Sequence, residues 1–207
     1  MVIYQGYFNM YPDSLNKLIQ TFKYLPGIGE KSAERFAFSI LDLDDDQVDL
    51  FVNSLKNVKS NIRHCTKCNT LTENDLCYIC SDIDRDNNKL CVVEDSKSVF
   101  LFEKNGVFKG KYHVLDGLIS PLDGINPEDI GLEKLIDRIH NEHFDEIIFA
   151  FKPSIEGETT SLYIKKILND LNIKITRLAN GVPIGAEIEY IDSLTLERAL
   201  NDRKEIE

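Results

Sequence analysis

The sequence predicts a mixed α/β protein built from three consecutive parts. Two helices joined by a glycine-containing turn precede residue 42, and four cysteines in two C-x2-C pairs lie within residues 65–80. From residue 89 onward, strand-like apolar runs alternate with helical stretches, which is typical of a parallel sheet covered on both faces. With 207 residues, 43% of them hydrophobic, the chain can form one or two domains with a real core.

The first part is the segment "SLNKLIQTFKYLPGIGEKSAERFAFSIL", residues 14–41. Its apolar residues recur at helical spacing, and Ser14 is predicted to cap the first helix. Pro26 and Gly27 end that helix, and a second helix is predicted to begin at Glu30. Two helices joined by "LPGIG" form a helix-hairpin-helix pattern.

The turn between these helices is the predicted DNA-binding site. Gly27 and Gly29 permit a tight turn with positive φ and leave backbone N–H groups bare at the start of the second helix, where a DNA phosphate can bind. Lys31 and Arg35 lie one turn apart and add positive charge, and Lys23 completes the predicted DNA-contacting set. Such contacts read the backbone of DNA and not its sequence. The alternative is an ordinary helical hairpin with a glycine turn.

The second part is predicted to be a structural zinc knuckle. Two C-x2-C pairs eight residues apart can surround one tetrahedral ion with four thiolates and leave no open position for catalysis; the predicted ligands are Cys65, Cys68, Cys77 and Cys80. A thioredoxin-like redox motif would occur once, at a strand-to-helix turn. Cys91 lies in "KLCVVE" and is predicted to be a buried strand residue.

The location expected from the sequence is the cytoplasm, in association with the nucleoid. No apolar run approaches the ~20 residues needed to span a bilayer. The N-terminal segment "MVIYQGYFNMYPDS" lacks the basic start and apolar core of a signal peptide. Thiols stay reduced in the cytoplasm, which favours a metal over two disulfides.

Charge is distributed unevenly along the chain. The formal net charge is −11, which opposes binding to nucleic acid. Residues 51–72, however, contain four basic residues and no acidic one. The stretch "DLDDDQVD" at 42–49 is expected to be a solvated loop that caps the next helix. These features predict weak, strongly salt-dependent DNA binding through one basic region.

The third part is the predicted parallel sheet. Its strands are expected at residues 89–94, 111–115, 145–151 and 173–179, with helices near 96–104, 131–143 and 158–171. Ligands of such sheets gather at the carboxyl ends of strands. Glu94 ends the first strand, and Glu156 and Glu158 follow the third, so these carboxylates could hold Mg²⁺. Alternatively, the two later glutamates only start a helix, where its dipole favours negative charge.

The order of these parts resembles the RecR family of bacterial recombination mediators. The matching segments cover nearly the whole chain from about Met10; they include "LPGIGEKSAERFAF", "CTKCNTLTENDLCYIC", "LCVVEDS", "EGETTSLYI" and "ITRLANGVPIGAEIEYIDSLTLERAL". Residues 1–9 lie outside the resemblance. At residues 152 and 153 the family usually has asparagine and then proline; this chain has Lys152 before Pro153, which places a cation beside the acidic residues.

The resemblance implies a domain plan. It comprises an N-terminal helical domain, a zinc finger, a domain similar to the Toprim domain of topoisomerases and primases, and a C-terminal segment with the Walker-B-like "EIEYID"; the corresponding ranges are 1–63, 64–81, 88–180 and 181–207. No P-loop of the form G-x-x-x-x-G-K-[ST] occurs, so ATP hydrolysis by this chain alone is not expected.

The resemblance also implies a function without catalysis. The protein would bind gapped, single-stranded or double-stranded DNA, form a ring-like homo-oligomer, most simply a tetramer, and act with RecO and RecF to load recombinase on gapped DNA. One zinc per chain is implied, and no membrane association.

Two other functions remain open at this level. A Toprim-type nuclease would use Glu94, Glu156 and Glu158, joined by Asp95, with Mg²⁺ for phosphodiester hydrolysis. The other is a zinc-stabilised module for protein partners, in which DNA contact is incidental.

Overall fold

The computed structural model describes residues 11–179, 181–203 and 205. Residues 1–9, which the family resemblance does not reach, and part of the C-terminal tail lie outside the described residues. The chain divides into two compact units, one ending at Asn61 and the other beginning at Ile62. No helix in the described ranges is long and apolar enough to cross a bilayer.

The N-terminal unit contains three helices: α1 (Asp13–Phe22), α2 (Glu30–Leu41) and α3 (Asp45–Asn61). Its small core forms where α1 meets α2 around Ile19, Ala33 and Ala37, all at most 2% exposed. The two alanines lie one turn apart, so α1 can approach the backbone of α2 closely. The helical hairpin is therefore confirmed. The predicted Ser14 cap is wrong, because Pro12, whose φ is fixed, occupies the cap position and Ser14 lies within the first turn.

The acidic stretch at 42–49, expected to be a loop that caps the next helix, supplies that cap but also the first turn of α3, which begins at Asp45. Asp44 and Gln47 form a reciprocal cap: Gln47 N donates to Asp44 Oδ1 at 2.8 Å, and Asp44 N donates to Gln47 Oε1 at 3.1 Å. None of the 17 residues of α3 is buried. We call the following side chains, which share one side of the helix, the apolar face of α3: Val48, Phe51, Val52, Leu55 and Val58.

The second unit contains a small hairpin and a four-stranded sheet. The hairpin pairs β1 (Arg63–His64) with β2 (Leu71–Thr72), and the short helix α4 (Tyr78–Ser81) follows. The sheet strands are β3 (Asp86–Val93), β4 (Gly110–Val114), β5 (Glu146–Ala150) and β6 (Lys174–Arg177). They are all parallel and lie in the order β4-β3-β5-β6. The helices of this unit are α5 (Ser96–Asn105), α6 (Leu132–Asn141), α7 (Ile155–Ile167) and α8 (Ser193–Asn201).

Both faces of the sheet are covered, but by different kinds of structure. Leu90 and Val92 of β3 face a core formed with α6 and α7. Cys91 and Val93, the alternating residues of the same strand, face a second core that contains Val99 of α5 and the cysteine knuckle. The knuckle thus shares a hydrophobic core with the sheet.

A half-buried ion pair closes the second core at its edge. The guanidinium of Arg85 binds both carboxylate oxygens of Glu103 at 2.7 and 2.8 Å, and Tyr112 Oη donates to Glu103 Oε1 at 2.9 Å. Burial raises the pKa of Glu103, but hydrogen bonds from Arg85 and Tyr112 outweigh it, and the net pKa is lowered. This network joins α5 and β4 to Arg85, the residue just before β3.

Candidate zinc centre and nucleic-acid interface

The four predicted zinc ligands meet at one point. Their sulfur atoms all lie within 4.8 Å of one another, none is in a disulfide, and Cys68 Sγ and Cys77 Sγ are 3.5 Å apart. Tetrahedral zinc with Zn–S bonds of about 2.3 Å requires sulfurs separated by roughly 3.8 Å. Among the described residues these cysteines are the single group of three or more potential metal ligands within such reach. The donor set fits one structural zinc ion.

The thiols favour a cation at their centre. Hydrogen bonds from Cys68 and Cys80 lower the pKa of Cys77 to about 2. The same hydrogen bonding to Cys77 raises the pKa of Cys68 to about 12, and the pKa of Cys80 is raised as well, first by its contact with Cys68. One thiolate is therefore stabilised at the expense of its neighbours. A divalent cation is what allows all four to be deprotonated together.

Backbone geometry explains why this sequence folds around a metal. Cys65 N donates to Thr70 O at 2.8 Å, which closes the first knuckle, and Asn69 takes the left-handed conformation at φ 63°. Backbone amides also point at sulfur: Cys77 N lies 3.3 Å from Cys65 Sγ, and Cys80 N lies 3.4 Å from Cys77 Sγ. Asparagine tolerates this conformation better than most residues. An asparagine directly after the second cysteine was a sequence signal for it.

The knuckle covers the outer edge of β4. Val114 N donates to Cys68 O at 2.9 Å, and Asn69 Nδ2 donates to Val114 O at 3.0 Å. Lys111, only 4% exposed, donates from Nζ to Ile79 O at 2.9 Å and Asp82 O at 2.6 Å, at the end of α4. The two bonds at Val114 satisfy backbone groups on the open side of the edge strand, and the two from Lys111 fix the end of α4 to it. Sequence reasoning missed the contacts of Asn69 and Lys111, because these hydrogen bonds join segments that only the tertiary fold brings together.

The glycine turn of the hairpin is built partly as predicted. Gly27 has φ +81°, a conformation that favours glycine. Gly29 instead has φ −86°, so the expectation of positive φ there is wrong; it is the extended N-cap residue of α2. In the part of the chain that the structure describes, no side chain caps α2 at this end, and no atom lies within 4 Å of a Cβ added at Gly29. The backbone N–H groups of the first turn are therefore accessible to an anion.

The predicted DNA-contacting side chains differ in their surroundings. Lys23 is paired with Glu30, which neutralises the acidic residue in the first turn of α2. Lys31 and Arg35 are exposed on α2, and no ion pair involving them is found in the described part of the chain. Arg35 lies over the ring of Phe36, 5.2 Å from its centroid. Two unpaired cations thus remain beside the open helix end.

The basic run at residues 51–72 is partly neutralised by the fold. Lys67 Nζ lies 3.1 Å from Glu142, and Arg63 lies 3.8 Å from Asp75. Lys56 of α3 is exposed, and no ion pair involving it is found within the described ranges. The local excess of positive charge is smaller than the sequence suggested.

The carboxylates proposed for Mg²⁺ do not gather into a site. Topology places β3 beside β5, so Glu94 and the loop before α7 lie at neighbouring strand ends, as expected. Glu158, however, pairs with Arg177, and Asp95 caps α5 by accepting from Ser98 N at 2.8 Å. These glutamates do not form a group of three metal ligands within the described residues.

Two of these acidic residues still have distinctive surroundings. One carboxylate oxygen of Glu94 is buried without a hydrogen-bond partner in the described structure. A hydrogen bond with Ser154 lowers the pKa of Glu156. Gly157, between Glu156 and Glu158, packs so tightly that an added Cβ would lie 2.3 Å from Lys152 O. The glycine is required by packing at the start of α7, a role that was not recognised in the sequence.

A helical hairpin with an open helix end, a four-cysteine knuckle and a parallel sheet define a class of zinc-containing DNA-binding proteins with a Toprim domain. Comparison with protein families matches the parts one by one. These families are the RecR helix-hairpin-helix at residues 15–59, the RecR four-cysteine zinc finger domain at 62–82, the Toprim domain at 88–179 and the RecR C-terminal region at 181–204.

Comparison with characterised proteins agrees. The chain is 47% identical over 196 residues to the recombination protein RecR of Staphylococcus aureus strain Newman. The aligned region covers 95% of this chain and 99% of the relative. The chain is 48% identical over the same length to the recombination protein RecR of Staphylococcus haemolyticus. The chain belongs to the RecR family of recombination proteins.

Proposed function

We propose that this protein is a non-enzymatic mediator of recombinational DNA repair. It binds DNA backbone through the hairpin unit, assembles into a ring-like homotetramer, and works with RecO- and RecF-type proteins to load recombinase on gapped DNA. One zinc ion per chain holds the knuckle, and the protein works in the cytoplasm at the nucleoid. The family membership supports the repair role.

The observation that carries DNA binding is the open N-terminus of α2. Its amides lack a side-chain cap, Gly29 leaves room for a phosphate to approach, and Lys31 and Arg35 add charge on the same helix. The helix dipole favours an anion at this end. These groups recognise phosphate and not base edges, so binding should be independent of sequence.

The apolar face of α3 supports assembly. Leu55 is 57% exposed and Val58 is 59% exposed, on a helix that buries no residue. A continuous apolar stripe of this kind is typical of a protein–protein interface. Because one hairpin offers few phosphate contacts, several copies around one DNA would raise the effective concentration of binding sites. A closed symmetric assembly is the simplest arrangement that covers the stripe and multiplies the contacts.

The nuclease alternative has less support. Metal-assisted hydrolysis needs carboxylates that converge on an ion, whereas Glu158 is paired with Arg177. The test is incubation of labelled gapped DNA with Mg²⁺ or Mn²⁺. We expect binding without cleavage; cleavage that disappears in Glu156→Ala would establish the nuclease instead.

The DNA interface is tested by charge reversal. The double variant Lys31→Glu, Arg35→Glu should weaken binding to unrelated DNA sequences equally and reduce the dependence of log Kd on log salt by about 2. The matched control is Lys165→Glu, Lys166→Glu, which makes the same charge change on exposed positions of α7. If the first variant is folded and binds DNA like the parent, the hairpin has only a structural role.

Assembly is tested by placing a charge on the apolar face of α3. Leu55→Glu should reduce the mass measured by light scattering at micromolar concentration, because the carboxylate would be buried without a partner. Leu162→Glu on α7 is the matched control, since Leu162 is 58% exposed and Leu55 is 57% exposed. A parent protein that is monomeric, or an unchanged mass in Leu55→Glu, would argue against the ring.

A further inference from the structure

A groove between α6 and α7 has no role in the proposed DNA contact or in the zinc centre. Its volume is about 370 Å³. Its apolar floor consists of two pairs of side chains, each pair one helical turn apart: Leu132 and Ile136 on α6, and Tyr163 and Ile167 on α7. Tyr163 is 40% exposed and Ile167 is 43% exposed, so the floor is open to solvent.

The rim of the groove carries charge of one sign. Glu128, Glu133 and Asp137 line it, and no lysine or arginine does so among the described residues. All three are exposed. The ion pairs at the end of α6 join Glu142 to Arg138 and to Lys67, and no ion pair of the three rim carboxylates is found among the described residues.

We propose that this groove is a docking site for an amphipathic helical segment of a partner protein that bears lysine or arginine beside its apolar face. Apolar side chains spaced one turn apart would fill the floor, as in other helix-in-groove complexes. The basic residues of the partner would pair with the three carboxylates. The same carboxylates would repel acidic segments and nucleic acid, so the charge makes the site selective for a basic partner. This proposal rests on the proposed mediator function in one respect: a mediator acts by binding other proteins.

The affinity expected at this site follows from its parts. Tyr163 is the aromatic residue of the floor, and binding energy at interfaces concentrates in such residues. The carboxylates are exposed at the rim, so each should contribute modestly and mainly at low salt. We therefore expect a floor substitution to change affinity more than a rim substitution, and a rim substitution to change the salt dependence more.

The test uses the full-length protein and synthetic peptides. The probe is a fluorescent helical peptide with leucines on one face and lysines on both flanks. One comparison peptide has the same composition with the leucines scattered, and another has glutamates in place of the lysines. Anisotropy should show the probe binding at least about tenfold more tightly than either comparison peptide. In NMR spectra, the Tyr163 ring and the Ile136 and Ile167 methyl groups should shift on binding.

Variants then locate the site. Tyr163→Ala should weaken probe binding by about tenfold. The double variant Glu133→Gln, Asp137→Asn should weaken probe binding by about fivefold and make the probe's affinity less dependent on salt. The control Glu73→Gln, Asp84→Asn removes the same charge from exposed positions elsewhere and should bind like the parent.

Several results would overturn the proposal. These are absence of probe binding to the parent, equal binding of the scattered or acidic peptide, or unchanged binding in Tyr163→Ala. A drop in assembly mass in the groove variants would show that a second copy of the chain occupies the groove instead. The charge reversal at Lys31 and Arg35 should weaken DNA binding while sparing the peptide, so failure of this proposal is distinguishable from failure of the mediator function.

Discussion

Removal of zinc should open the sheet at β4 while the other side of the sheet stays closed. Val114 N donates to Cys68 O, so this amide of the sheet edge depends on a residue of the knuckle. Asn69 Nδ2 donates a hydrogen bond to Val114 O, and Lys111 Nζ donates to two carbonyl oxygens at the end of α4. When the four thiols lose their ion, the knuckle loses the restraint that keeps these partners in place.

The magnitude follows from the bonds that would be lost. Four hydrogen bonds join the knuckle to β4, two at Val114 and two from Lys111 Nζ. At a net value of about 1 kcal/mol each, they stabilise the closed edge by about 4 kcal/mol. Since 1.4 kcal/mol corresponds to a factor of ten, protection of the Val114 amide against hydrogen exchange should fall by two to three orders of magnitude. A domain stability of 5–15 kcal/mol would leave most of the unit folded.

The assay is hydrogen exchange with residue resolution, before and after a chelator whose uptake of zinc is followed with an indicator dye. Leu178 N, which donates to Phe149 O at 3.0 Å on the far side of the sheet, is the internal control and should change little. If zinc leaves and the Val114 amide keeps its protection against hydrogen exchange, the contacts between the knuckle and β4 do not depend on the metal. Equal loss at Val114 and Leu178 would indicate global unfolding instead of local opening.

Two further predictions concern packing and pH. Gly157→Ala should lower the free energy of unfolding by about 1–3 kcal/mol, because its Cβ would lie 2.3 Å from a backbone oxygen. Gly29 has open space around it, so Gly29→Ala should keep the thermal stability of the parent but weaken DNA binding. Thermal melting and DNA titration of Gly157→Ala and Gly29→Ala check both expectations. The pKa of Glu103 is lowered from 4.5 in the folded chain, so its contribution to stability is present above 4.5 and is lost as pH falls through the lower folded value. Arg85→Met should reduce this dependence in acid titrations of stability; an unchanged profile would assign the acid sensitivity to other groups.

The strands were predictable because each carries a strong local signal. Residues 145–151 are a short, β-branched apolar run, and the strand observed there is Glu146–Ala150. The cysteine cluster was equally predictable, because C-x2-C spacing constrains geometry within a few residues. The helical hairpin followed from apolar periodicity and the "LPGIG" turn. In all three cases, the information lies within one short segment.

The remaining features depend on contacts between distant segments. Lys67 meets Glu142 across 75 positions of sequence, a pairing that no periodicity encodes. Nothing local shows that the knuckle covers β4, since Asn69 and Val114 are separated by 45 residues. Gly29 was misjudged because two glycines in one turn look alike in sequence, although only Gly27 takes positive φ.

The buried thiol of Cys91 reports whether the knuckle still covers the sheet. It is 2% exposed, it lies in the core shared by the sheet and the knuckle, and burial raises its pKa to about 12. A thiol reagent should therefore find no reactive cysteine in the intact zinc protein and four once the ion has left. A fifth thiol becomes reactive only when the knuckle leaves the face of the sheet. The number of labelled cysteines thus separates loss of the metal from uncovering of the core.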